Sequence, residues 1–173
     1  ILTNYHVIEG ADQLKVNAGG EEYTAQVVGT DESSDLAVLK IDATGLTAIE
    51  VGSSSDLTVG EWVMAVGSPF GLEQSVSTGI VSATSRTTSA LNDSSSGSSA
   101  VYTNMIQTDA AINPGNSGGA LVDKDGKLIG VNTLIASASG SSSGVGFAIP
   151  VDYAMNIAQQ IIDGKNPSHA QLG

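Results

Sequence analysis

Short apolar segments rich in β-branched residues run along most of the chain, and Gly, Asp, Asn or Ser residues separate them. Segments of this kind between turn residues are typical of the strands of an all-β barrel or sandwich. Aromatic residues make up only 4% of the chain, so the core must consist mostly of Val, Ile, Leu and Ala, which also favours β structure. We predict strands at residues 1–4, 14–17, 23–30, 36–41, 48–51, 62–67, 76–83, 105–108, 120–123, 127–133 and 146–149.

One segment near the end departs from the strand pattern. Residues 151–162 carry apolar side chains at helical spacing, with Asp152 in the first turn and Gly164 just past the end. We therefore predict a single C-terminal amphipathic helix. The residues that follow it contain Pro167 and are predicted to form an exit linker.

Composition excludes several classes of function. The chain has 18 acidic and 6 basic residues, for a net charge of -12 that would repel phosphate backbones, so we expect no nucleic-acid partner. It has no Cys, which removes disulfides, thiolate zinc sites and cysteine nucleophiles. Its 2 His residues are too few and too far apart in sequence for a metal site, and we expect no cofactor. No apolar run approaches the roughly 20 residues that a membrane span needs.

Ser117 lies in the run Gly115-Asn116-Ser117-Gly118-Gly119. A nucleophilic hydroxyl must stand at a tight turn, where a substrate carbonyl can approach it and backbone N–H groups can converge on the developing oxyanion. Small neighbouring residues leave room for both requirements. By itself, however, the run is equally compatible with an ordinary turn between two strands.

A serine nucleophile needs a base, and the base needs an orienting carboxylate. His6 lies at a strand end and Asp35 at the entry to a buried strand, and taken singly each has an ordinary structural explanation. Together with Ser117 they run in the order His, Asp, Ser, with gaps of 29 (35 minus 6) and 82 (117 minus 35) residues. That order suits a two-barrel serine protease in which His and Asp come from the first barrel and Ser from the second.

Four segments carry a combined signature: Thr3-Asn4-Tyr5-His6-Val7-Ile8, Ser34-Asp35-Leu36-Ala37-Val38, Asn113-Pro114-Gly115-Asn116-Ser117-Gly118-Gly119-Ala120-Leu121 and Gly146-Phe147-Ala148-Ile149-Pro150. They resemble the corresponding segments of the HtrA/Deg family of serine endopeptidases, and the similarity extends over nearly the whole chain. The resemblance implies that His6 is the general base, Asp35 its orienting partner and Ser117 the nucleophile. It implies an oxyanion hole formed by the backbone N–H groups of Gly115 and Ser117, with Asn116 between them.

The same resemblance implies a fold and a biological setting. The fold is two six-stranded antiparallel β-barrels of the trypsin/chymotrypsin type with a C-terminal helix. We expect the first barrel at 1–55, the second at 56–150, the helix at 151–164 and a linker toward a PDZ domain at 165–173. The implied protein is a homotrimer that cleaves unfolded polypeptides in the periplasm or cell envelope, or after secretion, and a membrane-anchored parent is compatible with this.

Two further expectations concern the start of the chain and the loops around Ser117. Only five candidate strands precede Trp62, so a six-stranded first barrel needs a strand before Ile1. We expect the resulting open edge beside His6 to make the chain weakly active or inactive. Two Ser-rich loops, 86–104 and 136–145, flank Ser117, and the resemblance implies that they switch the site between ordered and disordered states.

The primary specificity pocket of such a protease is lined by the residues just before the nucleophile and by a segment after it. In this chain those are Ala111, Ile112, Leu134 and Ile135, and none is acidic. A buried pocket without a carboxylate would leave a Lys or Arg side chain unpaired, so we expect small or medium aliphatic P1 residues. Ile112 and Ile135 are equally compatible with core positions.

Three other interpretations compete with the protease. Gly-x-Ser-x-Gly also marks an α/β-hydrolase elbow, with His169 and Asp152 or Asp163 following the Ser, but an elbow needs a helix after the Ser and the Asp125-Gly126 hairpin signal opposes one. A peptide-binding scaffold that keeps the fold without the chemistry is the second. A calcium site at 123–126 is the third, and it lacks the later ligands of an EF-hand loop.

Overall fold

The computed structural model describes residues 1–68, 75–89, 101–135 and 144–169. The elements in chain order are β1 (Leu2–Thr3), α1 (Tyr5–Ile8), β2 (Lys15–Ala18), β3 (Glu21–Thr24), β4 (Gln26–Asp31), β5 (Leu36–Lys40), β6 (Trp62–Gly67), β7 (Ser75–Ser89), β8 (Val101–Thr108), β9 (Ala120–Val122), β10 (Leu128–Ile135), β11 (Gly146–Pro150) and α2 (Val151–Ile162). The chain divides into two compact units, one formed by Ile1–Ala48 with the described residues from Ala154 onward, the other by Ile49–Tyr153.

The N-terminal unit contains a three-stranded antiparallel sheet in the order β1-β5-β4 and a separate β2-β3 hairpin. The continuous apolar run of β5 is buried from Leu36 to Leu39, as expected for a strand covered on both faces. Ile161 of α2 packs on β4 at Gly29, where an added Cβ would lie 2.7 Å from the Ile161 Cγ2 atom. The small core of this unit includes Ile8, Ala25, Ala37, Leu39 and Ile41.

The C-terminal unit is a closed antiparallel barrel with the strand order β10-β11-β8-β7-β6-β9. Its core consists of aliphatic side chains, as the scarcity of aromatic residues predicts. They include Val63, Ala65, Val81, Ile106, Ala110, Ile112, Leu121, Ile129 and Ala148.

The hairpin predicted at Asp125-Gly126 joins β9 to β10 and is confirmed. The Asp123 Oδ1 atom accepts the N–H groups of Asp125 and Lys127, each at 2.9 Å, and Gly126 has φ +77°. The Asp123 carboxylate therefore stabilises the hairpin turn. This role accounts for the acidic segment 123–126 without the calcium site.

The all-β character, one six-stranded barrel and the helix at 151–162 are confirmed, but the assignment of strands and loops is wrong in three places. The strand predicted at 23–30 is two strands, because the chain breaks at Ala25, whose N–H donates to the Leu14 carbonyl at 2.9 Å. The segment 48–51 is not a strand, since only Val51 makes an isolated bridge with Leu128.

The third error concerns the loop predicted at 86–104. Its two ends belong to β7 and β8, with Arg86 paired to Met105 and Thr88 to Tyr102. The end of β7 at 84–89 is polar and lacks the apolar alternation on which the prediction depended. Residues 90–100 of this loop, and 136–143 of the second Ser-rich loop, lie outside the described residues.

Several expectations stay predictions: a second six-stranded barrel, a strand ahead of Ile1, and the domain limits 1–55, 56–150, 151–164 and 165–173. Among the helices that the structure describes, none has both the length and the apolar character needed to cross a bilayer.

Candidate active site

His6 and Asp35 form a hydrogen-bonded pair in the N-terminal unit. The His6 Nδ1 atom lies 2.7 Å from Asp35 Oδ2, and the His6 backbone N–H donates to Asp35 Oδ1 at 2.9 Å. The Asp35 side chain is 3% exposed, whereas the His6 side chain is 42% exposed. A buried carboxylate that binds both the ring and the backbone of one histidine sets the ring orientation and directs Nε2 away from itself, as a general base requires.

The two residues before His6 bind the backbone carbonyl of Asp35. Asn4 is fully buried at the N-cap of α1, and its Nδ2 group donates to the Asp35 carbonyl at 2.9 Å. The Tyr5 N–H donates to the same carbonyl at 3.1 Å. Three consecutive residues therefore bind Asp35. The short helix α1 presents His6 to it, where the sequence predicted a strand end followed by a turn.

The backbone of Asp35 has φ +56°, in the left-handed region that Asp and Asn tolerate better than other non-glycine residues. Such a conformation costs about 1–3 kcal/mol and persists only where the surroundings impose it. The Asp35 N–H donates to the Glu32 carbonyl at 3.1 Å, and the Ser34 N–H donates to Asp31 Oδ2 at 3.1 Å. These hydrogen bonds hold the loop 31–35 in the conformation that presents the Asp35 carboxylate to His6.

Two carboxylates, those of Glu9 and Glu32, act on the phenol of Tyr5, the residue before His6. Glu9 raises the pKa of Tyr5, with smaller contributions in the same direction from desolvation and from Glu32. The raised pKa keeps the phenol neutral well into the alkaline range, so Tyr5 adds no charge beside His6.

Ser117 lies in the C-terminal unit, in the turn that leads into β9. Its hydroxyl donates to the Thr133 carbonyl at 3.2 Å. The turn is joined to β10 by two backbone hydrogen bonds, from the Gly118 N–H to the Asn132 carbonyl at 2.8 Å and from the Asn132 N–H to the Gly119 carbonyl at 2.9 Å. These bonds place the Ser117 hydroxyl on a rigid support.

The backbone at 115–117 carries the N–H groups that the sequence predicted as an oxyanion hole. Gly115 has φ +101°, and its carbonyl accepts the Ser68 N–H at 3.2 Å. The Asn116 N–H donates to the Asn113 carbonyl at 2.9 Å and is therefore occupied. Within the part of the chain that the structure describes, the N–H groups of Gly115 and Ser117 have no acceptor.

Two glycines allow the turn to pack tightly against β6. An added Cβ at Gly119 would collide with the Val66 carbonyl oxygen, and one at Gly67 would collide with the Asn116 side chain. Asn116 is buried, and its Nδ2 group donates to the Ala111 carbonyl at 3.1 Å. Glycine at position 119 therefore has a packing reason in addition to access for a substrate.

The comparison with known proteins agrees with this geometry. A family model described as trypsin-like peptidase domain matches residues 1–131. The chain belongs to this family. A probable periplasmic serine endoprotease DegP-like from Halomonas elongata is 49% identical over 174 residues, covering 100% of this chain and 35% of that protein. Protease Do-like 1, chloroplastic, from Arabidopsis thaliana is 50% identical over 165 residues, covering 94% and 36%.

A solved structure of the HtrA-type protease AlgW with a decapeptide matches with a TM-score of 0.84 and 52% identity, covering 94% of this chain and 48% of that one. The resemblance to HtrA/Deg serine endoproteases is therefore confirmed. The chain spans roughly a third of the length of the curated relatives that it matches, 35% in the case of the Halomonas protein.

The residues predicted to line the specificity pocket of this trypsin-like domain lie in different settings. Ile112 is 1% exposed and belongs to the barrel core, which favours the core alternative. Ala111 is exposed, and its carbonyl accepts the Ser77 hydroxyl at 2.7 Å. Leu134 and Ile135 belong to β10, and their side chains lie outside what the structure describes.

The sequence analysis missed two residues around Asp35, and one of its alternative interpretations is excluded. Sequence reasoning missed Asn4, whose side chain makes no cap hydrogen bond and donates instead to the Asp35 carbonyl. It also missed Asp31, for which the sequence carries no signal. The elbow interpretation fails because the β9-β10 hairpin, and not a helix, follows Ser117, while His169 pairs with Asp31, upstream of the serine.

We expect Asn4→Ala to lower the free energy of unfolding by about 0.5–1.5 kcal/mol, because it removes one of the two hydrogen bonds to the Asp35 carbonyl and leaves the one from the Tyr5 N–H. Chemical denaturation measures the change. Asn17→Ala, at an exposed asparagine of the same unit, is the matched control and should change stability by less than about 0.5 kcal/mol. Equal effects of the two substitutions would contradict the role assigned to Asn4.

Proposed function

We propose that this chain is the catalytic domain of a serine endopeptidase of the HtrA/Deg type that cleaves unfolded or misfolded proteins through an acyl-enzyme. The observation that carries the proposal is the double hydrogen bond of His6 to a buried Asp35 carboxylate. It is the arrangement by which a carboxylate selects the tautomer of a general base and stabilises the imidazolium that forms. The names of the relatives support the same chemistry.

In the proposed reaction His6 accepts the Ser117 hydroxyl proton as the oxygen attacks the scissile carbonyl. The N–H groups of Gly115 and Ser117 stabilise the oxyanion. His6 then gives its proton to the leaving amine, and the acyl-enzyme remains on Ser117. Water activated by His6 hydrolyses the ester and restores the serine, while Asp35 keeps its negative charge throughout.

The proposal includes the setting that the family resemblance implies. It places the protein outside the cytoplasm, supported by the periplasmic designation of the Halomonas relative. It also includes a homotrimer and a linker at 165–173 toward a PDZ domain. The decapeptide in the AlgW structure supports a polypeptide substrate.

A catalytically silent peptide-binding scaffold is the second candidate. Two features favour a working enzyme over it: the paired His6 and Asp35, and the two N–H groups near Ser117 that have no acceptor among the described residues. A scaffold has no need of a strained Asp35 backbone, which costs free energy without serving binding.

A serine-directed phosphonate probe distinguishes the two candidates in the complete protein. It should label the wild type and Ser82→Ala, a control on β7, but not Ser117→Ala. Turnover of an unfolded protein substrate should fall by about 10⁶-fold in Ser117→Ala, the loss found when a nucleophile of this type is removed. A folded wild type that fails to label would support the scaffold.

Asp35→Asn should reduce kcat by about 10⁴-fold, because the amide presents the wrong hydrogen-bonding group to one of the two His6 donors. Asn tolerates a left-handed backbone, so we expect the loop 31–35 to keep its conformation in this variant. The free energy of unfolding should then change by less than about 0.5 kcal/mol. Asp42→Asn, at an exposed carboxylate of the same unit, is the control and should leave kcat unchanged. A loss of less than tenfold in Asp35→Asn would remove Asp35 from the proposed mechanism.

The proposed P1 preference is for small or medium aliphatic residues. Asp109, the acidic residue nearest before Ser117 in sequence, uses its Oδ1 atom to accept the Ile80 N–H at 2.8 Å. Peptides that differ only at P1 should therefore give a kcat/KM for Val at least about tenfold above that for Arg. Equal or faster cleavage after Arg would contradict the preference while leaving the serine protease chemistry intact.

A further inference from the structure

Both histidines of the chain pair with carboxylates of the same loop, 31–35. His6 binds Asp35, and the His169 Nε2 atom lies 3.0 Å from Asp31 Oδ1. The first pair belongs to the proposed catalytic machinery. The second pair lies in the same unit but has no part in the reaction described above.

The Asp31 carboxylate connects His169 to the rest of the loop 31–35. Asp31 ends β4 and is 9% exposed. Its Oδ2 atom accepts the Ser34 N–H at 3.1 Å and also accepts the Ser34 hydroxyl, while its Oδ1 atom faces His169. Ser34 is buried and directly precedes Asp35, whose N–H donates to the Glu32 carbonyl at 3.1 Å. A change at Asp31 therefore reaches Asp35 through one peptide bond and two hydrogen bonds.

The chain after α2 is built to bring His169 to this carboxylate. Gly164 has φ +70°, and the Lys165 N–H donates to the Gln160 carbonyl at 2.9 Å, a hydrogen-bonded reversal typical of helix ends. The Gln160 Oε1 atom then accepts the Ser168 N–H at 2.8 Å. These contacts direct the residue that follows, His169, toward the end of β4.

Helix α2 packs against β4, the strand that ends at Asp31. Ile161 of α2 contacts Gly29, two residues before Asp31. The helix and His169 therefore both contact the C-terminal part of β4. The loop, by contrast, exposes Glu32 and Ser33 and carries the left-handed Asp35. Two of the hydrogen bonds that hold the loop are accepted by the Asp31 carboxylate.

We infer that His169 is a positioning residue: through Asp31 and Ser34 it holds the loop that presents Asp35 to His6. The inference rests on the proposed function, because positioning matters only if the pair of His6 and Asp35 is catalytic. Without His169, the Asp31 carboxylate loses one of its fixed partners and can turn away from Ser34. The Asp35 backbone then relaxes from its strained conformation, and the base is less well oriented.

Kinetics of the complete protein provide the first test. His169→Ala should lower kcat about tenfold with KM unchanged, a smaller loss than the roughly 100-fold that a 1 Å displacement of a reacting group can cost. His169→Gln retains an N–H donor at a similar reach and should restore most of the loss. Asn166→Ala, at an exposed residue of the same segment, is the control and should match the wild type.

A double-mutant cycle then tests the route through Asp31. Asp31→Ala should lower kcat at least as much as His169→Ala, and the double variant should be no worse than Asp31→Ala alone, since both substitutions break the same connection. Thermal melting identifies a variant that fails to fold, and in that case Asp31→Asn, which keeps an acceptor for Ser34, replaces Asp31→Ala.

Proton NMR provides a readout that does not depend on turnover. The downfield signal of the proton between His6 Nδ1 and Asp35 Oδ2 should exchange with water faster in His169→Ala than in wild type and Asn166→Ala. An unchanged kcat and an unchanged signal in His169→Ala would overturn the inference, as would fully additive losses in the cycle. A wild type that the phosphonate probe fails to label would instead contradict the proposed function, whatever His169 does.

Discussion

The buried Asp35 carboxylate is the feature on which the candidate site depends. A charge at such a position is tolerated only when hydrogen bonds replace the water that it loses. The backbone N–H and the ring of His6 supply these bonds, while Asn4 and Tyr5 bind the Asp35 carbonyl. The same bonds that satisfy the carboxylate orient the histidine, so local stability and the chemistry share one set of contacts.

The nucleophile turn shows the opposite balance, in which shape matters more than charge. Small residues around Ser117 let the turn lie against β6 and β10, where a Cβ at Gly119 would collide with a backbone oxygen. Backbone bonds hold Asn116, Gly118 and Gly119, and the N–H groups of Gly115 and Ser117 are left without an acceptor among the described residues. Stabilisation of a developing oxyanion requires hydrogen-bond donors that are held in place and have no other acceptor.

Sequence patterns predicted some elements well and others poorly, for identifiable reasons. The helix at Val151–Ile162 and the hairpin at Asp125-Gly126 follow from local periodicity and turn chemistry, and both are present. The outer parts of β7 and β8 were missed because the end of β7 is a run of polar residues, which leaves no apolar alternation in the sequence although the two strands pair there. The segment 48–51 has the composition of a strand but makes only one bridge.

The sequence by itself determined which residues are available for chemistry: a serine between glycines, two histidines, and a carboxylate at the start of an apolar run. Motif and order were sufficient to predict His6, Asp35 and Ser117, because those residue types are dictated by the reaction. Only the tertiary structure decided how Asp35 is held and that Asp31 joins it to His169, 138 residues away in sequence. Such contacts depend on where the chain returns after many turns, and no local pattern records that.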